Sequence, residues 1–95
     1  MGRAAYENRM KQRLGDLGIQ IASVSARLAD SPDDRLRMDF AAQLATLEGR
    51  RAAIGEMLVT LAAEPDCTWE DLRLQIEDHW DALIQDFEER LASLV

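Results

Sequence analysis

The sequence predicts an all-α fold, a long antiparallel helical hairpin followed by a third amphipathic helix, forming a three-helix bundle or coiled coil that self-associates. Three observations carry this expectation. Large apolar residues recur at heptad spacing through two long segments, a third segment is an eleven-residue repeat, and both prolines, Pro32 and Pro65, fall in the breaks between them. The expected helices cover roughly residues 4–29, 32–63 and 69–94, all in a single domain spanning 1–95. Charged residues are 31% of the chain and aromatics only 5%, with Ala and Leu abundant, which is the composition of long helices. A chain of 95 residues buries only about 60–65% of the surface that its unfolded form exposes, so its core is thin.

In the first segment Met10, Leu14, Leu17, Ile21, Val24 and Leu28 are spaced 4, 3, 4, 3, 4, an unbroken heptad seam on which Glu7 also falls by extrapolation. The second segment repeats the pattern with Phe40, Leu44, Leu47, Arg51, Ile54, Leu58 and Leu61, so that an arginine occupies one seam position. Two long helices with matching seams and a short break between them read as an antiparallel hairpin. In that break Ser31 is positioned to cap, Pro32 suits the first helical residue, and Asp33 and Asp34 favour the positive end of the helix dipole. The second break runs through Glu64, Pro65, Asp66 and Cys67 to Thr68, which with Asp71 resembles a capping box and starts the third helix at Trp69.

The third helix is built from the repeat. Trp69, Trp80 and Leu91 correspond at eleven-residue intervals, as do Leu72, Leu83 and Leu94, and Ile76 corresponds to Phe87. Eleven residues fill three helical turns, so this period lays one apolar stripe along a nearly straight helix. Trp69, Leu72, Ile76, Trp80, Leu83 and Phe87 are therefore the expected packing or partner-binding residues, with the two tryptophans as energetic anchors.

Each arm of the hairpin also carries a second stripe made of small residues. Gly15, Ile19, Ala22, Ala26 and Ala29 follow heptad spacing on the first helix, and Ala42, Ala45, Gly49, Ala52, Val59 and Ala63 do so on the second, where Glu56 interrupts. At 100° per residue this stripe lies about 150° from the large one. A three-helix bundle asks each helix to face two neighbours about 60° apart, so a nearly opposed seam points to another copy of the chain, with Ala22, Ala26, Ala45, Gly49 and Ala52 as the oligomer seam. Alanine used simply as a good helix former is the alternative. Gly15, Gly18, Gly49 and Gly55 count against it, because a mid-helix glycine costs about 1 kcal/mol unless close packing offsets it.

The net charge is −7, divided as +2 over residues 1–31, −2 over 32–64 and −7 over 65–95. An acidic third helix repels nucleic-acid phosphate and anionic headgroups, which sets nucleic acid aside and disfavours a membrane, and it leaves a basic or apolar protein helix as the complementary partner. The start of the chain has no apolar run of signal-peptide length, and Tyr6 stands where a myristoylation signal wants Ser or Thr. With no long uncharged apolar stretch either, a cytoplasmic protein is expected.

Candidate chemistry is sparse. Arg51 on the seam would set register, mark an oligomeric layer, bind an acid of the third helix, or carry its charge out to solvent on its aliphatic stem. His79 has Gln75, Ile76, Ala82 and Leu83 at helical spacing, which supply no metal ligand. The carboxylates Glu77, Asp78 and Asp81 read as a solvated face. Cys67 is the single cysteine, so no intrachain disulfide forms, and Glu64 and Asp66 beside it disfavour a thiolate. No catalytic constellation, phosphate loop or cofactor fingerprint is present, so no enzymatic activity, cofactor or metal is expected.

The opening Tyr6, Glu7, Asn8, Arg9, Met10, Lys11, Gln12, the two heptad arms, and the units beginning Trp69, Glu70, Asp71, Leu72 and Trp80, Asp81, Ala82, Leu83 resemble a family of small, uncharacterised bacterial coiled-coil proteins, apolipoprotein-like in character. The paired Trp-x-x-Leu units are its distinctive part. The chain departs from it in being rich in arginine, poor in lysine and in carrying a proline in its hairpin turn. The resemblance implies an all-helical fold without assigned catalysis and transfers no active-site residue. The expected function is thus a non-enzymatic scaffold or protein-interaction module that self-associates through its heptad and Ala/Gly seams. The alternative is an amphipathic lipid-associated or holdase-like stress protein that uses the Trp-containing third helix.

Overall fold

The computed structural model describes residues 2–92. It contains three α-helices, α1 (Arg3–Ala29), α2 (Asp34–Ala63) and α3 (Asp66–Ala92), and no strand among the described residues. The chain divides into two compact units, one through Arg51 and the other from Ala52 onward. That division falls inside α2, a continuous helix, and at neither proline.

In the first unit α1 and the leading part of α2 form an antiparallel hairpin. Near its turn Ser25, Leu28 and Ala29 share a surface with Ala41 and Leu44, while farther along Leu14 and Gly18 meet Arg51. The buried residues of α1 are Tyr6, Met10, Leu14, Leu17, Ile21, Val24 and Leu28, which is the expected seam with one addition. Upstream the seam continues through Tyr6 and not Glu7: both positions lie near the same face, and the apolar ring takes the buried place. On α2 Phe40, Leu44 and Leu47 are buried in this unit. Burying one such side chain contributes roughly 1.5–3 kcal/mol, against about 0–1 kcal/mol for an exposed ion pair. The seam therefore outweighs the surface pairs, such as Arg37 with Asp34, that decorate it.

Both helix starts differ from the expectation. α2 begins at Asp34, two residues later than expected, because Asp33 is the cap: its Oδ1 accepts the N–H groups of Arg35 at 3.1 Å and Leu36 at 3.2 Å, and its carbonyl accepts the first helical bond from Arg37. Ser31 instead braces the turn, its Oγ accepting the N–H of Asp33 at 3.3 Å, and Pro32 lies outside the helix. Aspartate and serine cap about equally well, so propensity does not separate the two sites, and the hydrogen bonds to Arg35 and Leu36 place the cap at Asp33. The α1 end is tightened by short bonds from Asp30 and Ser31 to Arg27 and Leu28.

In the second unit Glu64 and Pro65 alone connect α2 to α3. α3 starts at Asp66, three residues earlier than expected: Pro65 supplies the carbonyl that accepts the N–H of both Thr68 and Trp69 at 3.1 Å. Thr68 is thus inside the first turn and its hydroxyl donates to Glu64 at 2.8 Å, the reverse of the capping role expected for it. Proline is at home at a helix entrance, where no N–H is needed. Ile54, Leu58 and Leu61 of α2 and Trp69, Ile76, Leu83 and Phe87 of α3 are buried in this unit. The partial third repeat beyond Ala92, including Leu94, lies outside the described residues.

The position of the α2 cap gives a direct expectation for stability. Asp33→Ala removes two hydrogen bonds from the first turn and lowers unfolding free energy by about 1 kcal/mol, whereas Ser31→Ala costs less, both read from urea unfolding. A larger loss at Ser31 than at Asp33 contradicts this cap.

Candidate interaction site

Arg51 occupies a seam position of α2, yet its side chain is 29% exposed and reaches across to α1. There its Nη1 donates to the backbone carbonyl of Leu14 at 3.1 Å. A helical carbonyl already accepts one bond from the residue four positions on, and its second lone pair is normally covered. Side chains on a helix lean toward the N-terminus, so a side chain at position 18 would stand over this carbonyl. Gly18 leaves it bare. A Cβ built there would sit 3.0 Å from Arg51 Cζ and 3.1 Å from Nη1, so the guanidinium lies directly on the glycine.

The other edge of the guanidinium is held by its own helix. Arg51 Nε donates to Glu48 at 2.9 Å, and Nη2 also donates to the same carboxylate. The hydrogen bond from Arg51 holds the Glu48 carboxyl below the ordinary glutamate range, against a smaller opposing effect of burial. The same bond raises Arg51. Arg51 thus acts as a fork between one neighbouring acid and one backbone oxygen of the facing helix, and its carboxylate partner comes from α2, not from α3.

Beside this clamp the hairpin carries an open groove of about 380 Å³, walled by Gly18, Ala22 and Ser25 of α1 and Ala41, Ala45 and Glu48 of α2. A smaller hollow of about 170 Å³ lies toward the turn, with Ala29 and Leu28 on one side and Ala41 and Arg37 on the other. The outer walls of the groove merge into the small-residue stripe. Gly15, Ala22, Ala26, Ala45, Gly49 and Ala52 are all exposed, and Ile19, on the same stripe, is 70% exposed. Of the helical glycines the expectation of close packing is met within the chain only at Gly18, since Gly15, Gly49 and Gly55 have nothing within 4 Å of an added Cβ.

The α3 stripe is placed differently from its repeat. Trp69, Ile76, Leu83 and Phe87 are buried, spaced 7, 7 and 4, while Trp80 and Leu72 are half-buried. Leu72 lies about 60° around the helix from Trp69 and so at the stripe's edge. Trp80 stays near the centre line and is nonetheless half-buried, unlike Trp69. Positions equivalent by sequence are thus unequal in burial. Leu74, outside the stripe, is 53% exposed.

The remaining candidates stand apart from the groove. His79 and Cys67 are exposed, and Arg73 and Arg90 pair with Glu70 and Asp86 along α3. Among the described residues no cluster of three or more His, Cys, Asp or Glu side chains is arranged to hold a metal, and no helix is long and apolar enough to cross a membrane. No protein-family model, curated protein or solved structure matches the chain.

The glycines separate by their surroundings. Gly15→Ala and Gly49→Ala should each raise the unfolding free energy of the isolated chain by up to about 1 kcal/mol, because propensity improves with nothing to displace. Gly18→Ala should gain clearly less, since Arg51 must shift, and equal gains at all three sites in urea unfolding would remove the clamp. A carboxyl held below its ordinary range contributes stability above that range and loses it as pH falls toward the folded value. The difference between the protein and Glu48→Gln, under about 1 kcal/mol because Glu48 is 43% exposed, should therefore be present at pH 6 and fade as the pH falls below the ordinary glutamate range. A difference that grows on acidification would have the wrong sign.

Proposed function

We propose that this chain is a non-enzymatic helical interaction module that self-associates through the small-residue face of its α1–α2 hairpin. The observation that carries the reading is the pair of exposed mid-helix glycines, Gly15 on the small-residue stripe of α1 and Gly49 on that of α2, which have nothing within 4 Å and yet lie among exposed alanines. Each glycine costs about 1 kcal/mol of helix stability that no contact inside the chain offsets. A second helix brought to close approach would offset it, because small residues let helix axes come to about 8 Å. Ile19 and Met38, each at least 70% exposed, add apolar surface beyond the groove.

The tryptophan-bearing helix supports the same choice. Four of its apolar residues are already buried, so the binding face offered without any rearrangement is the one on the hairpin. A lipid-associated role would require those residues to be released, on a helix whose segment carries nine acidic and two basic groups. A family of small coiled-coil proteins, suggested by the paired Trp-x-x-Leu units, accords with a scaffold and adds no chemistry to it.

Light scattering across a concentration series tests the proposal. A discrete dimer or tetramer is expected, with Ala45→Arg shifting it to monomer while circular dichroism keeps its helical signal. A strict monomer at every concentration would overturn self-association and leave the Ala stripe as surface helix propensity.

A further inference from the structure

We infer that the partner is a second copy lying antiparallel along α2, related by a two-fold axis that crosses between Ala42 and Gln43; this rests on self-association through the hairpin face. The ends of the groove supply the reason. At one end Asp34 pairs with Arg37, and at the other Glu48 pairs with Arg51. Arg37 and Glu48 line the hollow and the groove, and the guanidinium of Arg51 lies on Gly18 in the groove wall.

Each pair has its acid first and its base three residues later, and the two pairs are fourteen residues apart. Two parallel copies, in register or shifted by fourteen, would set acid against acid and base against base. The antiparallel arrangement does the opposite with one choice of axis. About the midpoint of 42 and 43, Asp34 comes opposite the partner's Arg51 and Arg37 opposite the partner's Glu48, so both ends become four-charge clusters of alternating sign.

Between the charged ends α2 lines the groove with Ala41, Leu44 and Ala45, two of them small. Ala41 and Ala45 lie on opposite sides of the axis in the open wall of the groove, which lets the two α2 helices approach closely. The charges are partly exposed, Arg37 at 40% and Glu48 at 43%, so they select orientation more than they add affinity. Close packing of the alanines holds the pair together.

Cysteine cross-linking of the full chain reads the orientation directly. In a Cys67→Ser background, which removes the one native thiol, a single cysteine replaces either Ala41 or Met38. At about 1.5 Å rise per residue the two copies of position 41 are offset along the helices by about 4.5 Å, and those of position 38 by about 13.5 Å. A disulfide needs Cα atoms about 4.4–6.8 Å apart. Under mild oxidation Ala41→Cys is expected to give a linked dimer on a denaturing gel, and Met38→Cys to remain monomeric.

Both positions are exposed, so folding is preserved and is confirmed by circular dichroism. Each sample is also weighed by light scattering before oxidation. A dimer by mass in which position 38 links as well as 41, or in which 41 fails to link, overturns the antiparallel arrangement and leaves self-association standing. A monomer by mass overturns both.

Discussion

Burial of one line of large apolar side chains along each helix supplies most of the stabilisation in this chain, and the other features are adjustments to it. The line is narrow because a chain of 95 residues has little interior to fill. Residues such as Leu17, Leu47, Ile54, Leu61, Ile76 and Leu83 lose nearly all of their surface, while their immediate neighbours are half-buried or exposed. A truncation on the line removes a large share of a total that is small for domains of this size. Caps and ion pairs work at a lower level, each worth about 1 kcal/mol or less, and they decide where a helix begins more than whether it forms.

A heptad seam by itself leaves the hairpin's alignment ambiguous. Sliding one arm by seven residues keeps large residues facing large residues along most of its length. Arg51 breaks this degeneracy. Its bond requires a backbone carbonyl with no side chain over it, and four residues beyond Leu14 stands Gly18. One heptad away in either direction, the residues standing over the equivalent carbonyls of Glu7 and Ile21 are Lys11 and Ser25. A polar residue at a seam position thus gives up some apolar burial and gains a unique pairing, the role best attested for such residues in coiled coils.

The all-helical class, the prolines as breaks and the seam of the hairpin were legible because heptad spacing reports burial directly. The helix starts were less so. Each break holds several residues able to cap, Ser31 and Asp33 in the first and Pro65, Asp66 and Thr68 in the second, and local propensity does not rank them once a proline restricts the backbone. Arg51 was recognisable as an anomaly, but its partner was not, since a carbonyl oxygen carries no residue signature. The nearest signals were Glu48 three residues before it and a glycine four residues after a seam leucine. In α3 the eleven-residue repeat suggested equivalence of Trp69 and Trp80, whereas the structure buries one and half-buries the other. Heptad and eleven-residue periods drift by about 20° per repeat in opposite directions, so a short helix satisfies both and burial alone distinguishes them.

The contact between Arg51 and Gly18 couples two positions in an asymmetric way. The acceptor on α1 is main chain and persists whatever residue stands at 14, so divergence cannot remove it except by covering it from position 18. Arginine at 51 therefore works against a larger side chain at 18, while glycine at 18 imposes nothing on 51. A side chain at 18 is therefore accommodated by moving the end of the arginine, whereas no change at 14 moves the acceptor.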